Sequence, residues 1–368
     1  MAEPPAGHRV HDVVRGHPLT RRKTYLDAAR GLAVAIMVLA HVTDAFTREA
    51  DRADDRYFTA VFINGLAAPM FLFLAGVALT MAAESRSRTI GRTDAGRSIL
   101  RRGWQVFGLA FLFRAQSQLL GWGPWRNFLK VDILNVMGLA MVGAAAIWRV
   151  VPARSGRIAV YAIATGLFAM LNPLVRDWVW VDGLPEWLGA YVRSIPGRTS
   201  FSLFPWAGFL TAGALLGELV DAARTPVLER RLHATLAVVA LGAVGASIAL
   251  SYLPPIYADT EFWSTSPAFF FIRLGLVAAT IPLAWVTAVS WEPIVTLGRS
   301  SLFVYWIHVE MVYGSATIPL RRTMPYELAV VVALMLCALL YKLVHVKNAW
   351  MTRRALPRPL GFLAPVLK

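Results

Sequence analysis

The chain is poor in cysteine, in charge and in internal repetition. Cys337 is alone among 368 residues, so no internal disulfide can form and the fold owes nothing to the redox state of its compartment. It sits in the apolar run Met335–Leu339 with no base near it in sequence, the setting of a buried, inert thiol rather than an acyl carrier. Only 16% of the residues are charged, against about 25% in soluble domains. No repeat of the kind that marks many secondary transporters is present. No cleavable leader is expected, because the first two dozen residues are polar and the first apolar run is long enough to stay in a membrane. Acidic residues are scarce too: 22 Asp and Glu stand against 37 Lys and Arg, a formal charge of +15. That excess invites a nucleic-acid reading. The arginines, however, fall in alternate connections, which is positive-inside patterning and excludes nucleic acid as the partner.

Apolar residues are abundant, at 57%, and they come in long runs. The expected fold is all-α, a polytopic integral membrane helix bundle. About ten transmembrane helices are predicted, near 25–46, 57–83, 103–120, 130–148, 158–174, 201–220, 233–252, 267–289, 295–317 and 326–346, the first of them long enough for a hydrocarbon core of ~30 Å. Loop charge puts both termini in the cytoplasm. Residues 1–24 read as a disordered cytoplasmic tail whose scattered His8, His11 and His17 bind nothing, 25–347 as the transmembrane domain, and 348–368 as a basic cytoplasmic tail. The connection carrying Arg86, Arg88, Arg92, Arg97, Arg101 and Arg102 is the strongest inside signal, and the acid-rich loop from Arg48 to Arg56 suits the outside. The segment up to residue 199, with Trp178, Trp180 and Trp187, reads as interfacial or as a cover over a site. Gly213 and Gly217 let a neighbouring backbone approach closely. Arg321 and Arg322 are the exception, falling outside in this scheme.

Ionisable and polar residues within spans are costly and point to function. His41 and Asp44, spaced i, i+3, share a face near the end of the first helix. Asn64, Arg114, Gln118, Asp132, Asn135, Arg273 and His308 all map to the outer half of their helices, as if around one water-accessible cavity opening outward. Plainer roles compete: an Arg114–Asp132 structural ion pair, an Arg273 that snorkels to headgroups, and His308 and Asn64 as interhelical glue. His41 stands apart, because a carboxylate holding one imidazole nitrogen leaves the other free as a base. At the cytoplasmic end Asp27 suits a helix N-terminus and Arg30 can snorkel to the interface. Arg30 with Arg101, Arg102 and Arg299 would also meet an anionic ligand such as the phosphates of coenzyme A.

Tyr25-Leu26-Asp27-Ala28-Ala29-Arg30-Gly31 and the apolar run to His41 resemble the opening of the heparan-alpha-glucosaminide N-acetyltransferase-like membrane proteins, part of a wider transmembrane acyltransferase superfamily. Ala68-Pro69-Met70-Phe71-Leu72-Phe73-Leu74-Ala75-Gly76 is similar to the family's second-helix motif. Val131 to Gly138, Phe204-Pro205-Trp206 and Leu297 to His308 have counterparts in the same order, so the likeness runs from about 25 to 315. The resemblance implies transfer of an acyl group from cytosolic acyl-CoA to a sugar acceptor across the membrane, with a histidine near the outer face. In eukaryotic relatives the His41 position can be asparagine, with the histidine in the following loop. Residues 45–57 here contain no histidine, so His41 takes that role.

The expected function is an integral-membrane acyltransferase of the cell membrane that moves an acyl group, here acetyl, to a hydroxyl or amine. His41 is the general base, Asp44 or Asp132 orients it, and Arg114 or Arg273 stabilises the oxyanion. His308 joins the catalytic set; Asn64, Arg114, Gln118, Asn135 and Arg273 are the candidate acceptor contacts. Acetyl-CoA or another acyl-CoA is the co-substrate, and no metal is expected. The partners are the lipid bilayer, acyl-CoA and a glycan or glycolipid acceptor, with a homodimer as a further option. Direct transfer and an acyl-histidine route both stay open. The alternatives are a transporter or flippase for an anionic glycan or lipid, using the same polar cavity, and a non-catalytic membrane scaffold.

Overall fold

Apolar runs of this length satisfy their own backbone as helices, the one open-ended structure that a hydrocarbon interior accepts. The computed structural model describes residues 23–121, 127–287 and 291–353. Besides helices, the described residues show only two isolated bridges, Thr47 with Met324 and Val131 with Thr199. In chain order the helices are α1 (Thr24–Phe46), α2 (Asp55–Asn64), α3 (Ala67–Ile90), α4 (Arg92–Gly121), α5 (Ile133–Val150), α6 (Arg154–Met170), α7 (Asn172–Val175), α8 (Val179–Asp182), α9 (Glu186–Val192), α10 (Leu203–Ala222), α11 (Pro226–Ser251), α12 (Pro267–Val286), α13 (Glu292–Arg299), α14 (Ser301–Tyr313) and α15 (Tyr326–Arg353). Seven of the described helical units are long and apolar enough to cross a membrane: α1, α2 with α3, α5, α10, α11, α12 and α15. The protein is a multi-pass membrane protein. Of the rest, α4 carries several arginines, α6 has 17 residues, and α13–α14 is interrupted at Ser300.

Several boundaries differ from the sequence expectation, each for a local reason. The predicted second span breaks into α2 and α3 at Gly65–Leu66, where the Gly65 carbonyl accepts a hydrogen bond from Arg273. The arginine-rich stretch read as a connection is helical. α3 runs on to Ile90, turns at Gly91 (φ +81°), and α4 starts at Arg92. Arginine is a good helix former, so charge alone does not end a helix. The long connection before residue 199 contains α7, α8 and α9. The predicted ninth span is α13, a break at Ser300, α14 and a 3-10 turn, Ser315–Leu320. α15 extends to Arg353, taking the start of the expected basic tail into helix. Residues 1–22, with His8, His11 and His17, and the tail beyond 353 lie outside the described residues. Arg321 and Arg322 are tied down locally: Arg321 donates to the Tyr313 carbonyl at 2.7 Å, and Arg322 pairs with Glu49 at 3.0 Å.

Close approach of backbones sets the frame around the interior. α10 packs along α3, where a Cβ on Gly213 would collide with the Phe73 carbonyl. α1 crosses α13 at Gly31 and Gly298, and a side chain on either would strike backbone of the other helix. This crossing brings Asp27 to Arg299.

A buried charge network, not anticipated from sequence, clamps α3, α5, α6 and α10. Arg157, 2% exposed, holds Glu218 through two bonds of 2.7 and 2.8 Å and Glu84 at 2.6 Å. Glu218 is fully buried, and Trp148 donates to Glu84 at 2.9 Å. Arg154 reaches Glu84 and Asp221, and Arg88 grips Asp221 with both terminal nitrogens. Buried charge is tolerated only when paired and hydrogen-bonded in this way.

Candidate active site

α1 and α14 each deliver one histidine. The Nδ1 of His41 lies 2.7 Å from the Nε2 of His308, and the His308 Nδ1 lies 2.9 Å from the Val304 carbonyl, one turn earlier in α14. The imidazole planes are 6° apart and the ring centres 5.0 Å apart. That separation is the nitrogen–nitrogen distance plus the two ring radii, so the rings meet edge to edge in one plane rather than stacking. His308 is fully buried, whereas His41 lines a cavity. Tyr313 packs edge-on against His41 at 5.5 Å. The partner of His41 is therefore His308, in place of the expected Asp44 or Asp132. Asp44 shares the cavity lining with His41, but its side chain is 63% exposed and engaged by Tyr313 at 3.1 Å and Arg52 at 3.8 Å.

The cavity is large, about 1050 Å³. Alanines of α3 at 68, 75, 78 and 82 form one wall, and Arg86 follows on the same face. From Ala68 to Arg86 the helix rises about 27 Å, close to the thickness of a hydrocarbon core. One continuous space thus joins the two ends of the bundle.

At one end it is lined by His41, Asp44, Asn64, Arg114, Lys130, Asp132, Arg273, Tyr305 and Tyr313. Asp132 caps α5 through the Ile133 amide at 2.7 Å, and its other oxygen takes Arg114 at 2.7 Å. The structural pairing expected for these two is what the geometry holds. Asn64 donates to the Thr43 hydroxyl at 3.2 Å, tying α2 to α1. Arg273 has no carboxylate partner among the described residues. It donates to the Gly65 carbonyl and lies over the rings of Trp206, Phe269 and Phe209, at 4.9, 5.2 and 5.9 Å. Aromatic faces hold a guanidinium in place without cancelling its charge.

At the other end the cavity meets Arg30, Arg86, Arg102 and Arg299. Asp27 lies between two of them, 3.7 Å from Arg30 and 3.3 Å from Arg299. Arg86 donates to Ser98 at 2.8 Å, and Arg102 pairs with no carboxylate among the described residues. Ser300, at the α13–α14 break, also lines this end and accepts from Lys347 at 3.0 Å.

Three expected site residues fall elsewhere. Arg101 is exposed and off the cavity wall, because its neighbour Arg102 takes the inward position of α4. Asn135 is buried behind the wall, accepting from the Asp132 amide at 3.1 Å and donating to the Tyr191 hydroxyl at 3.3 Å, so it completes the α5 cap. Gln118 is buried in α4 and also does not line the cavity. Sequence reasoning missed Arg86, counted only as a topology charge, and the alanine stripe of α3. The available signal was the spacing from Ala68 through Ala75 and Ala82 to Arg86, which keeps one helical face.

A polytopic helical membrane protein with a polar interior strung between a histidine pair and a ring of arginines is the class these features define. The chain matches the family described as "Heparan-alpha-glucosaminide N-acetyltransferase, catalytic" over residues 22–255, and it belongs to that family of acetyltransferases. The match takes in α1 to α11, with His41, Asn64, Arg114 and Asp132, while Arg273, Arg299 and His308 lie beyond it. No curated protein matches the chain.

Proposed function

We propose that the protein transfers an acetyl group from cytosolic acetyl-CoA to an amine or hydroxyl of a sugar-containing acceptor on the outer side of the cell membrane. The observation that carries this reading is the single cavity that reaches His41 at one end and four arginines at the other. On this reading α4, α6 and the α13–α14 pair cross as well, giving ten passes with both termini cytoplasmic. The arginine end then faces the cytosol, where guanidinium forks suit the donor's phosphates. The histidine end faces outward.

Chemistry follows from the groups at that end. The acceptor nitrogen or oxygen attacks the thioester carbonyl while His41 Nε2 removes its proton. Arg273 meets the negative charge that gathers on the carbonyl oxygen; Arg114 is less suited, being spent on Asp132. As the carbon–sulfur bond breaks, the sulfur leaves with the electron pair and takes the proton back from His41, releasing coenzyme A as the thiol. Asp44 and Asp132, on the same cavity wall, offset the positive charge on the ring. Asn64 contributes to acceptor contact.

Purified protein in detergent, given acetyl-CoA and a panel of amino sugars and glycolipids, should release free thiol in step with acetylated product. His41→Ala should abolish release while keeping coenzyme A binding. Acceptor transport without thiol release, or a fully active His41→Ala, would overturn the reading.

A further inference from the structure

We infer that His308 is a positioning residue that fixes which nitrogen of His41 carries the proton, making the base a two-imidazole unit anchored on a backbone carbonyl. This deepens the acetyltransferase reading and rests on it for its catalytic meaning. The geometry, however, stands independently.

The chain of donors has one direction. A backbone carbonyl can only accept, so the His308 nitrogen 2.9 Å from the Val304 oxygen, Nδ1, carries a hydrogen. A neutral imidazole has one N–H, which leaves the His308 Nε2 with a bare lone pair. Facing that lone pair at 2.7 Å is the Nδ1 of His41, which must therefore be the N–H. The hydrogen of His41 is thus held on the buried side. Its Nε2 is left unprotonated and has no protein partner among the described residues, on a side chain that lines the cavity. Edge-to-edge alignment within 6° puts the N–H in the plane of the acceptor lone pair, where a hydrogen bond is strongest. Turning the His41 ring over would set a C–H against the bare nitrogen, so the contact fixes orientation as well as tautomer.

The surroundings explain why this partner is an imidazole. His308 is fully buried, with Tyr305 packed edge-on at 5.8 Å and Val304 and Trp306 buried beside it. A carboxylate there would bring an unpaired charge into an apolar pocket, whereas a neutral ring supplies an acceptor without one. When His41 takes a proton from the acceptor at Nε2, the positive charge that results is shared across the Nδ1–H···Nε2 contact. The carboxylate of a triad plays the corresponding orienting part elsewhere.

Two measurements test this. In protein labelled with nitrogen-15 at histidine, solid-state nitrogen spectra should show the pair of resonances lost in His41→Gln as a protonated Nδ1 and a bare Nε2. A His41 protonated at Nε2 instead would overturn the inference, whatever the enzyme acetylates. In turnover, His308→Leu should lower kcat by about 10²–10⁴-fold, the scale of a positioned general base, with KM for acetyl-CoA unchanged. His308→Gln, whose side-chain carbonyl can accept from His41, should recover most of that loss. Equal loss in both variants while each keeps its melting temperature would reduce His308 to packing. If His308→Leu fails to fold, the spectra of the unmodified protein decide alone. Absence of any turnover refutes the acetyltransferase reading and leaves the tautomer result standing.

Discussion

A plug in the middle of the cavity tests whether the donor reaches across the bundle. Ala78 lies on the α3 wall between Ala75 and Ala82, about 12 Å along the helix from Arg86. A volume of about 1050 Å³ drawn out over about 27 Å gives an average cross-section of roughly 40 Å². The benzyl group of Ala78→Phe would fill most of a duct that narrow. Misplacing a reacting group by 1 Å can cost about 10²-fold in rate, so a blocked thioester should lose at least that in kcat. The arginine end lies two turns away and is untouched, so equilibrium binding of coenzyme A should stay at its unmodified value. Thiol release under saturating acceptor gives the first quantity and calorimetric titration with coenzyme A the second. Ala78→Ser, which leaves the duct open, is the control. Unchanged turnover in a folded Ala78→Phe protein would refute a path along α3.

Other perturbations separate the parts of the molecule. Arg157→Met leaves fully buried Glu218 without its main partner and should destabilise the protein by about 3–5 kcal/mol, most of it regained in Arg157→Met/Glu218→Met, as melting in detergent would record. Arg102→Gln and Arg299→Gln should each raise KM for acetyl-CoA by about 10–100-fold, the worth of a hydrogen bond to a charged group. Their kcat should hold, and a fall in kcat at constant KM would place these residues in the chemistry instead. Arg273→Gln should do the opposite, lowering kcat by about 10²–10³-fold, the scale of a lost oxyanion donor, with coenzyme A binding intact by titration.

Much of this was legible in the sequence because an apolar run makes each polar residue conspicuous. α1, α10 and α12 begin and end close to the expected positions, and Asp132 announces α5 as its cap. Of the nine residues expected around one cavity, His41, Asp44, Asn64, Arg114, Asp132 and Arg273 line it, whereas Gln118, Asn135 and His308 do not. What escaped the sequence depends on packing. His41 and His308 are 267 residues apart, so nothing local pairs them, while Asp44 at i+3 draws attention yet is engaged by Tyr313 and Arg52 instead. Choosing Arg102 over Arg101 requires the rotation of α4, which its neighbours set. The α3 alanines look like any apolar helix until the cavity they line is seen. The clamp around Arg157 was hidden because Arg154 and Arg157 read as loop charges, whereas both lie in the first turn of α6.

The crossing of α1 over α13 at Gly31 and Gly298 also makes a ruler of α1. Arg30 stands beside the crossing and His41 lies about 16 Å further along the same rod. Two points on one helix cannot drift apart. On the proposed reading, the reach of the donor from its charged head to its reactive carbon is gauged against a fixed length. An acyl chain much longer than acetyl would then have to find its room beyond the imidazole, among the groups meant for the acceptor.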